Sequence, residues 1–287
     1  FRSTTDSNNY AVDTVRPTAT IVVADSSLII GETSLVTITF SEAVTGFSNA
    51  DLTIASGTLS AVATTDGGIT WTATFTPTAS ISDATNVITL DTTGVSDTSG
   101  NAGVGTTDSN NYAVDTVRPT VVVSLSDTSL VAGETSLVIM AFSEAVTGFD
   151  NADLTIANGT LSAVSTADGG VTWTATLTPT AELIDATNVI SLNVTGVSDA
   201  AGNAGVGTSN SSNYTINTVR PTAGIVVTDT SLIVGETSLV TITFSEAVTG
   251  FSNADLTIAS GTLSAVATTD GGITWTATFT PTASITD

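Results

Sequence analysis

The residues able to do chemistry are carboxylates, and they recur at one spacing. Asp13, Glu42, Asp97 and the amide residue Asn101 come back, 102 positions on, as Asp115, Glu144, Asp199 and Asn203. The chain has 27 acids, four Lys plus Arg, no His and no Cys. With no lysine either, nucleophilic triads, Schiff bases and thiolate metal sites are excluded, and no enzymatic activity is expected. A pair such as Glu42 and Asp51 imitates a glycosidase, but any acidic, turn-rich chain offers such pairs. Oxygen ligands on several separate loops suit a hard cation, calcium above all. The competing reading is that these acids are solvated turn residues, which Asp and Asn favour for their own hydrogen-bonding reasons.

The elements that must position these groups are repeats. NNYAVDTVRPT at 8–18 returns at 110–120, and SNYTINTVRPT follows at 212–222. Arg16, Arg118 and Arg220 are separated by 118 − 16 = 102 and 220 − 118 = 102 residues, and Trp71, Trp173 and Trp275 keep the same step. A fixed period of this length marks a tandem array. Repeats are expected at 16–117, 118–219 and 220–287. Residues 1–15 are read as a cloning remnant (Phe1 to Ser3) followed by the last strand of a preceding repeat, in which Tyr10 and Val12 alternate with polar residues. The third repeat would stop before its last two strands. Pro17 removes a backbone donor and favours an extended Arg16, so the joint is short and stiff. Arg16 is expected to pair with a joint carboxylate. Repeats 1 and 3 differ at five of 68 shared positions, whereas repeats 1 and 2 differ at 21. Duplication of a two-repeat block explains that pattern, ahead of selection against cross-pairing between neighbours.

Within one repeat, the strongest signal is Ile69, Trp71, Ala73 and Phe75 alternating with Thr70, Thr72, Thr74 and Thr76, a strand with one buried and one wet face. Further strands are expected at 18–24, 35–40, 51–55, 58–64 and 87–90, with a seventh that includes Tyr112 and Val114. Asp66-Gly67-Gly68 signals a hairpin. Seven short strands in about 100 residues, with no helical periodicity, give an all-β fold of tandem immunoglobulin-like sandwiches joined end to end, with a jelly-roll sandwich as rival. In that topology Glu42, Asp66, Asp97 and Asn101 share one end with Asp13. Asp115, Glu144, Asp168, Asp199 and Asn203 do the same at the next joint. Trp71 is expected in the core rather than as a sugar platform. Phe47, Phe149 and Phe251 are expected to plug the sandwich ends.

The motifs VDTVRPT, FSEAVTGFSNADLTIASGTL, TWTATFTPT and GVSDTSGNAG together resemble the bacterial Ig-like repeats of giant surface adhesins and biofilm-associated proteins. The resemblance covers essentially every residue after Ser3. It implies an extracellular array, at the bacterial surface or secreted, whose extender domains hold an adhesive tip away from the cell. Neighbouring repeats are then each domain's partners. Structural calcium would lie at Asp13, Glu42, Asp97 and Asn101 and again at Asp115, Glu144, Asp199 and Asn203. Asn217 replaces the aspartate at the third joint, which departs from the pattern. The alternative is a module that binds a glycan or a partner cell directly. A net charge of −23 disfavours nucleic acid, and no stretch approaches the ~20 apolar residues of a membrane span.

Overall fold

A computed structural model describes residues 5–284. Phe1, Arg2 and Ser3, read above as a remnant, lie outside the described residues, as does Asp287. The first repeat runs β1 (Ala19–Val23), β2 (Ser27–Leu28), β3 (Ser34–Phe40), β4 (Val44–Thr45), β5 (Leu52–Ile54), β6 (Gly57–Leu59), β7 (Ala63–Thr64), β8 (Thr70–Pro77), β9 (Ser82–Asn86), β10 (Ile88–Asp91), β11 (Ser96–Asp97), β12 (Thr106–Asp108) and β13 (Tyr112–Asp115). One layer is the sheet β1-β3-β8-β6, with β7 also on β8. Facing it are β12-β10-β5 and β2-β13-β9, and β11 pairs with β4 at one end. The pairing of β13 with β2 is parallel and that with β9 antiparallel.

Alternation along β3 and β8 makes this arrangement. Val36, Ile38 and Phe40 on β3 and Ala73 and Phe75 on β8 are buried, while Thr39, Thr72 and Thr74 face water. Across the layers they meet Leu52, Ile88, Leu90, Tyr112 and Val114 in one core. Phe75 and Tyr112 pack edge to face at 5.0 Å, and the Tyr112 hydroxyl donates to the Ala55 carbonyl at 2.6 Å. At the β4 end, Phe47 is 6% exposed and sits 5.2 Å from both Phe40 and Trp71, so it does plug the sandwich. Trp71 is half-buried on that stack rather than wholly inside, with its indole N–H donating to the Gly68 carbonyl.

The single strand expected at 58–64 is two pieces, β6 and β7. The Asn49 side chain takes the Ser60 carbonyl and the Val62 N–H, so those groups cannot join the ladder. β2, β4, β9, β11 and β12 were not expected, because they are short and lack apolar alternation. Residues 5–18 form no strand, and Tyr10 and Val12 are 78% and 73% exposed. The same sequence is strand β13 where β2 and β9 flank it, so partners decide the outcome.

Internal contacts divide the chain into two units. The first runs to Asp127 and includes Ser136–Leu177 and Val189–Asn213. Beside the first repeat it holds the counterpart large sheet of the second, with Val121–Leu125 and Ser136–Phe142 as its first two strands. It also holds the pairs Val146–Thr147 with Ser198–Asp199 and Leu154–Ile156 with Ile190–Asn193. The other unit holds the sheet of Ser129–Val131, Tyr214–Asn217 and Ile184–Asn188. It also holds the third repeat, a five-stranded sheet built on Ala223–Val227, Ser238–Phe244 and Thr274–Pro281. Among the described residues no helix is long and apolar enough to cross a membrane.

Two substitutions test this packing. Trp173→Ala, which strips the half-buried indole from Phe149, is expected to cost about 3 kcal/mol, the low end for a large aromatic. Tyr112→Phe is expected to cost about 1 kcal/mol by leaving the Ala55 carbonyl without its donor. Chemical denaturation of each variant against the parent checks both; an unchanged midpoint for Trp173→Ala would place the indole outside the load of the fold.

Candidate metal centre

Two clusters of carboxylates stand where the repeats join. Asp13, Glu42 and Asp97 bring carboxylate oxygens within 4.8 Å of one another, and Asp115, Glu144 and Asp199 do the same. Each cluster takes Asp13 or Asp115 from the segment that leads into the joint, and from the repeat that follows it Glu42 or Glu144 on a loop and Asp97 or Asp199 on a short strand. Pairing of β4 with β11 sets Val44 opposite Asp97, which brings the loop after β3, and so Glu42, beside Asp97. At the next joint Val146 stands opposite Asp199 in the same way. Gly68 and Gly170 let the neighbouring DGG turn close on this pair, because a Cβ at either would lie 2.7 Å from the Val44 or Val146 carbonyl.

The aspartate of each loop is the post around which the loop winds. Asp97 is 2% exposed; one of its oxygens accepts from Ser99 N and Asn101 N, the other from the Asn101 amide at 2.8 Å. That amide, with the backbone donors, holds the Asp97 carboxyl below the ordinary range although burial opposes it. Asp199, 3% exposed, accepts from Gly202 N, Asn203 N and the Asn203 amide. The glutamates behave oppositely. Burial first, then the charges of Asp199 and Asp115, push the Glu144 carboxyl up. Burial, Asp97 and Asp13 do the same to Glu42. Each joint therefore brings together like charges on hard oxygen donors only, with Asp97 or Asp199 buried at its base. That donor set fits a calcium ion better than a softer metal.

The two asparagines lie beside the clusters, where their side-chain amides brace the joint. The Asn203 oxygen accepts from the Ile30 N–H at 2.9 Å, while its NH2 donates to Asp199 and to the Asp115 carbonyl. Asn203 is thus a brace between the first and second repeats, with the Ile29 side chain close to Gly202. Asn101 likewise turns its NH2 to Asp97 and the Asp13 carbonyl. Asp66 and Asp168, expected at the joint, are absent from the two clusters and cap their own hairpins. Asp66 accepts from Ile69 N, Thr70 N and the Thr64 hydroxyl, and Asp168 from Thr172 N and the Thr166 hydroxyl. Arg16 and Arg118 donate to the carbonyls of Ala102 and Ala204, not to a carboxylate. Sequence reasoning missed Ile30 and Ser99, whose hydroxyl donates to Asp13; no spacing or composition announces either. Among the described residues no third carboxylate cluster occurs.

Residues 13–114, 115–216 and 217–287 each match the family described as bacterial Ig-like domain. No curated protein sequence matches. Solved structures similar to this chain include the Escherichia coli adhesin FdeC, at 15% identity over 92% of this chain and 88% of that one, with a TM-score of 0.35. A tandem from titin matches at 8% identity over 93% and 90% of the two chains, with a TM-score of 0.33.

The hairpin caps yield a pH prediction. Backbone N–H donors, Thr70 first, hold Asp66 down to about 2 from an ordinary 3.8, and Thr172 and Thr274 do the same for Asp168 and Asp270. A carboxyl depressed in the fold contributes stability that is present above its ordinary value and lost as pH falls through its folded one. Stability is therefore expected to fall between about pH 4 and pH 2, with a shallower fall in Asp168→Asn. Denaturation midpoints across that window check it; parallel curves would remove the role given to Asp168.

Proposed function

Since the chain belongs to the bacterial Ig-like domain family, we propose that it is a spacer region of an extracellular bacterial adhesin, with calcium stiffening the joints between repeats. Asp115, Glu144 and Asp199 would hold the ion at the joint of the first two repeats, and Asp13, Glu42 and Asp97 the equivalent one. The observation that carries the reading is the convergence of three carboxylates contributed by both repeats, Asp199 buried and Asp115 and Glu144 half-buried, with Glu144 pushed up by burial and then by its neighbours' charges. Such a group works against its own joint until a cation arrives. The ion supplies the positive charge; the protein supplies a preformed set of oxygens, Asp199 already fixed by its loop amides. Binding ties the end of one repeat to two loops of the next, and Asn203 and Arg118 support the same contact directly. Extracellular calcium modules bind in the ~10⁻⁴–10⁻³ M range, so millimolar calcium outside a cell suffices.

Glu144→Gln separates this role from a merely structural one. A carboxyl raised in the fold contributes stability that is full below its ordinary value and lost as pH rises through its folded one. At neutral pH without calcium, Glu144→Gln is therefore expected to melt at or above the parent. With calcium the order is expected to reverse, because the parent gains about 2.7 kcal/mol at a hundredfold excess over the dissociation constant and the variant loses a ligand. Melting in calcium and in EGTA at fixed ionic strength reads the sign. Spin labels placed one in each of the first two repeats should give a narrower distance distribution with calcium. Identical melts and distributions in the two buffers would refute the calcium joint.

A further inference from the structure

The outward face of the second repeat's large sheet carries residues that its neighbours lack. The inner strand Ser136–Phe142 buries Val138 and Met140 and turns Leu137, Ile139 and Ala141 outward. Val122, on the adjoining strand Val121–Leu125, stands opposite Ala141. Val122 is 67% exposed and Leu137 44%. On the other side Thr176, Thr174 and Thr172 oppose Leu137, Ile139 and Ala141. One period back, the residues at 122, 139 and 141 are Thr20, Thr37 and Thr39; one period on, they are Gly224, Thr241 and Thr243. Val22 and Val226 of those repeats give way to Ser124 in this one. The second repeat alone therefore has an unbroken aliphatic row along the inner strand, with a valine beside it. The fold does not require the row, since the first repeat builds the same sheet with threonine in those places.

We propose that this face is where two copies of the chain pair, sheet against sheet, about a two-fold axis. Charge selects the occupant. The chain carries a net −23, so two copies repel over most of their surface. The strands Val121–Leu125, Ser136–Phe142 and Thr172–Pro179 hold no charged residue, so copies meet here without bringing carboxylates together. Side-chain chemistry selects it as well. The face turns outward only aliphatic and hydroxyl side chains, with Trp173 and Phe142 on its other side, so it offers no ring for a sugar to stack on and no charge for an ionic ligand. A second such face supplies what the row needs, aliphatic side chains that interdigitate at the ~10 Å spacing of packed sheets, with threonine hydroxyls at the rim. A two-fold contact uses the same patch on both copies and closes at a dimer. Three strands ~4.8 Å apart, each of about seven residues at ~3.3 Å, give a footprint of roughly 350 Å² a side. That is below the ~800 Å² per partner of a standard interface, so one pair of faces makes a transient contact. Several such faces along neighbouring arrays would add through effective concentration.

Sedimentation equilibrium of the full chain, carried to about 1 mM because contacts of this size are transient, tests the pairing. EGTA is present throughout, so that no cation bridges the acids of two copies. The weight-average mass is expected to climb toward that of a dimer, and to climb further in high salt, which screens the acids and leaves an uncharged contact intact. The combined variant Val122→Thr, Ile139→Thr and Ala141→Thr installs the residues that the first repeat carries in those places, so it keeps the fold. It is expected to weaken association roughly tenfold or more, as loss of the centre of an interface does. The reverse exchange in the first repeat, Thr20→Val with Thr37→Ile and Thr39→Ala, is expected to raise the mass at a given concentration. A mass that stays at the monomer value in both salts, association that falls as salt rises, or indifference to either exchange would each overturn the proposal.

Discussion

The structure depends on one strand doing two things. β13 closes the first repeat's core through Tyr112, whose phenol is wholly buried against Phe75 and bonded to Ala55 O. Burial pushes that hydroxyl up to about 12, so it stays a neutral donor at any physiological pH. Three residues later the same strand delivers Asp115 to the joint. Thr116 locks the exit, donating to Thr78 O and accepting from Ile81 N. Core and joint therefore share one short piece of chain, and a defect in either reaches the other within a few residues.

Charge is arranged around this constraint. The strands of the sheet β1-β3-β8-β6 contain no charged residue; their outward face is threonine, valine and leucine. The acids stand in turns and on the opposite layer, as Asp83, Asp91 and Asp108 do. Several are consumed locally: Asp66 and Asp91 bond backbone N–H groups of their own turns. At the joints Glu42 and Glu144 also face two other carboxylates across loops, and burial together with those charges pushes both carboxyls up. A strongly acidic chain thus concentrates its electrostatic conflict at its joints and spends most of its other carboxylates on shaping turns.

The sandwich was legible because β3 and β8 repeat an apolar–threonine alternation that only a half-buried strand needs, and Phe47 followed as the residue able to cap that layer. The thin strands were not. β9 and β12 are held by side-chain amides and hydroxyls in or next to them, such as the Asn86 amide donating to Tyr112 O and the Ser109 hydroxyl accepting from Ile88 N, which leave no hydrophobic period to read. At the joint, topology places Asp13, Glu42 and Asp97 at one end, and their carboxylate oxygens lie within 4.8 Å of one another. It also brings Asp66 there, because it cannot weigh a carboxylate's attraction to its own hairpin against the cluster. The Asn203 oxygen accepts from the Ile30 N–H, a contact between residues 173 apart that no local pattern encodes. For the same reason Arg16 meets the Ala102 carbonyl where a carboxylate is expected.

The parallel pairing of β2 with β13 has a mechanical consequence. β2 lies near the start of the repeat and β13 at its end, and both point the same way. When the two ends are drawn apart, β2 is pulled backward and β13 forward, so the bond from Ala113 N to Ser26 O and its neighbours are loaded sideways and together. Rupture then needs several bonds to fail at once, rather than one after another as in a peeled hairpin. The Asn110 clamp on Val23 adds two more bonds between the first strand and the segment that enters the last. A tether assembled from such units would yield to tension in steps, one repeat at a time, and hold its length in between.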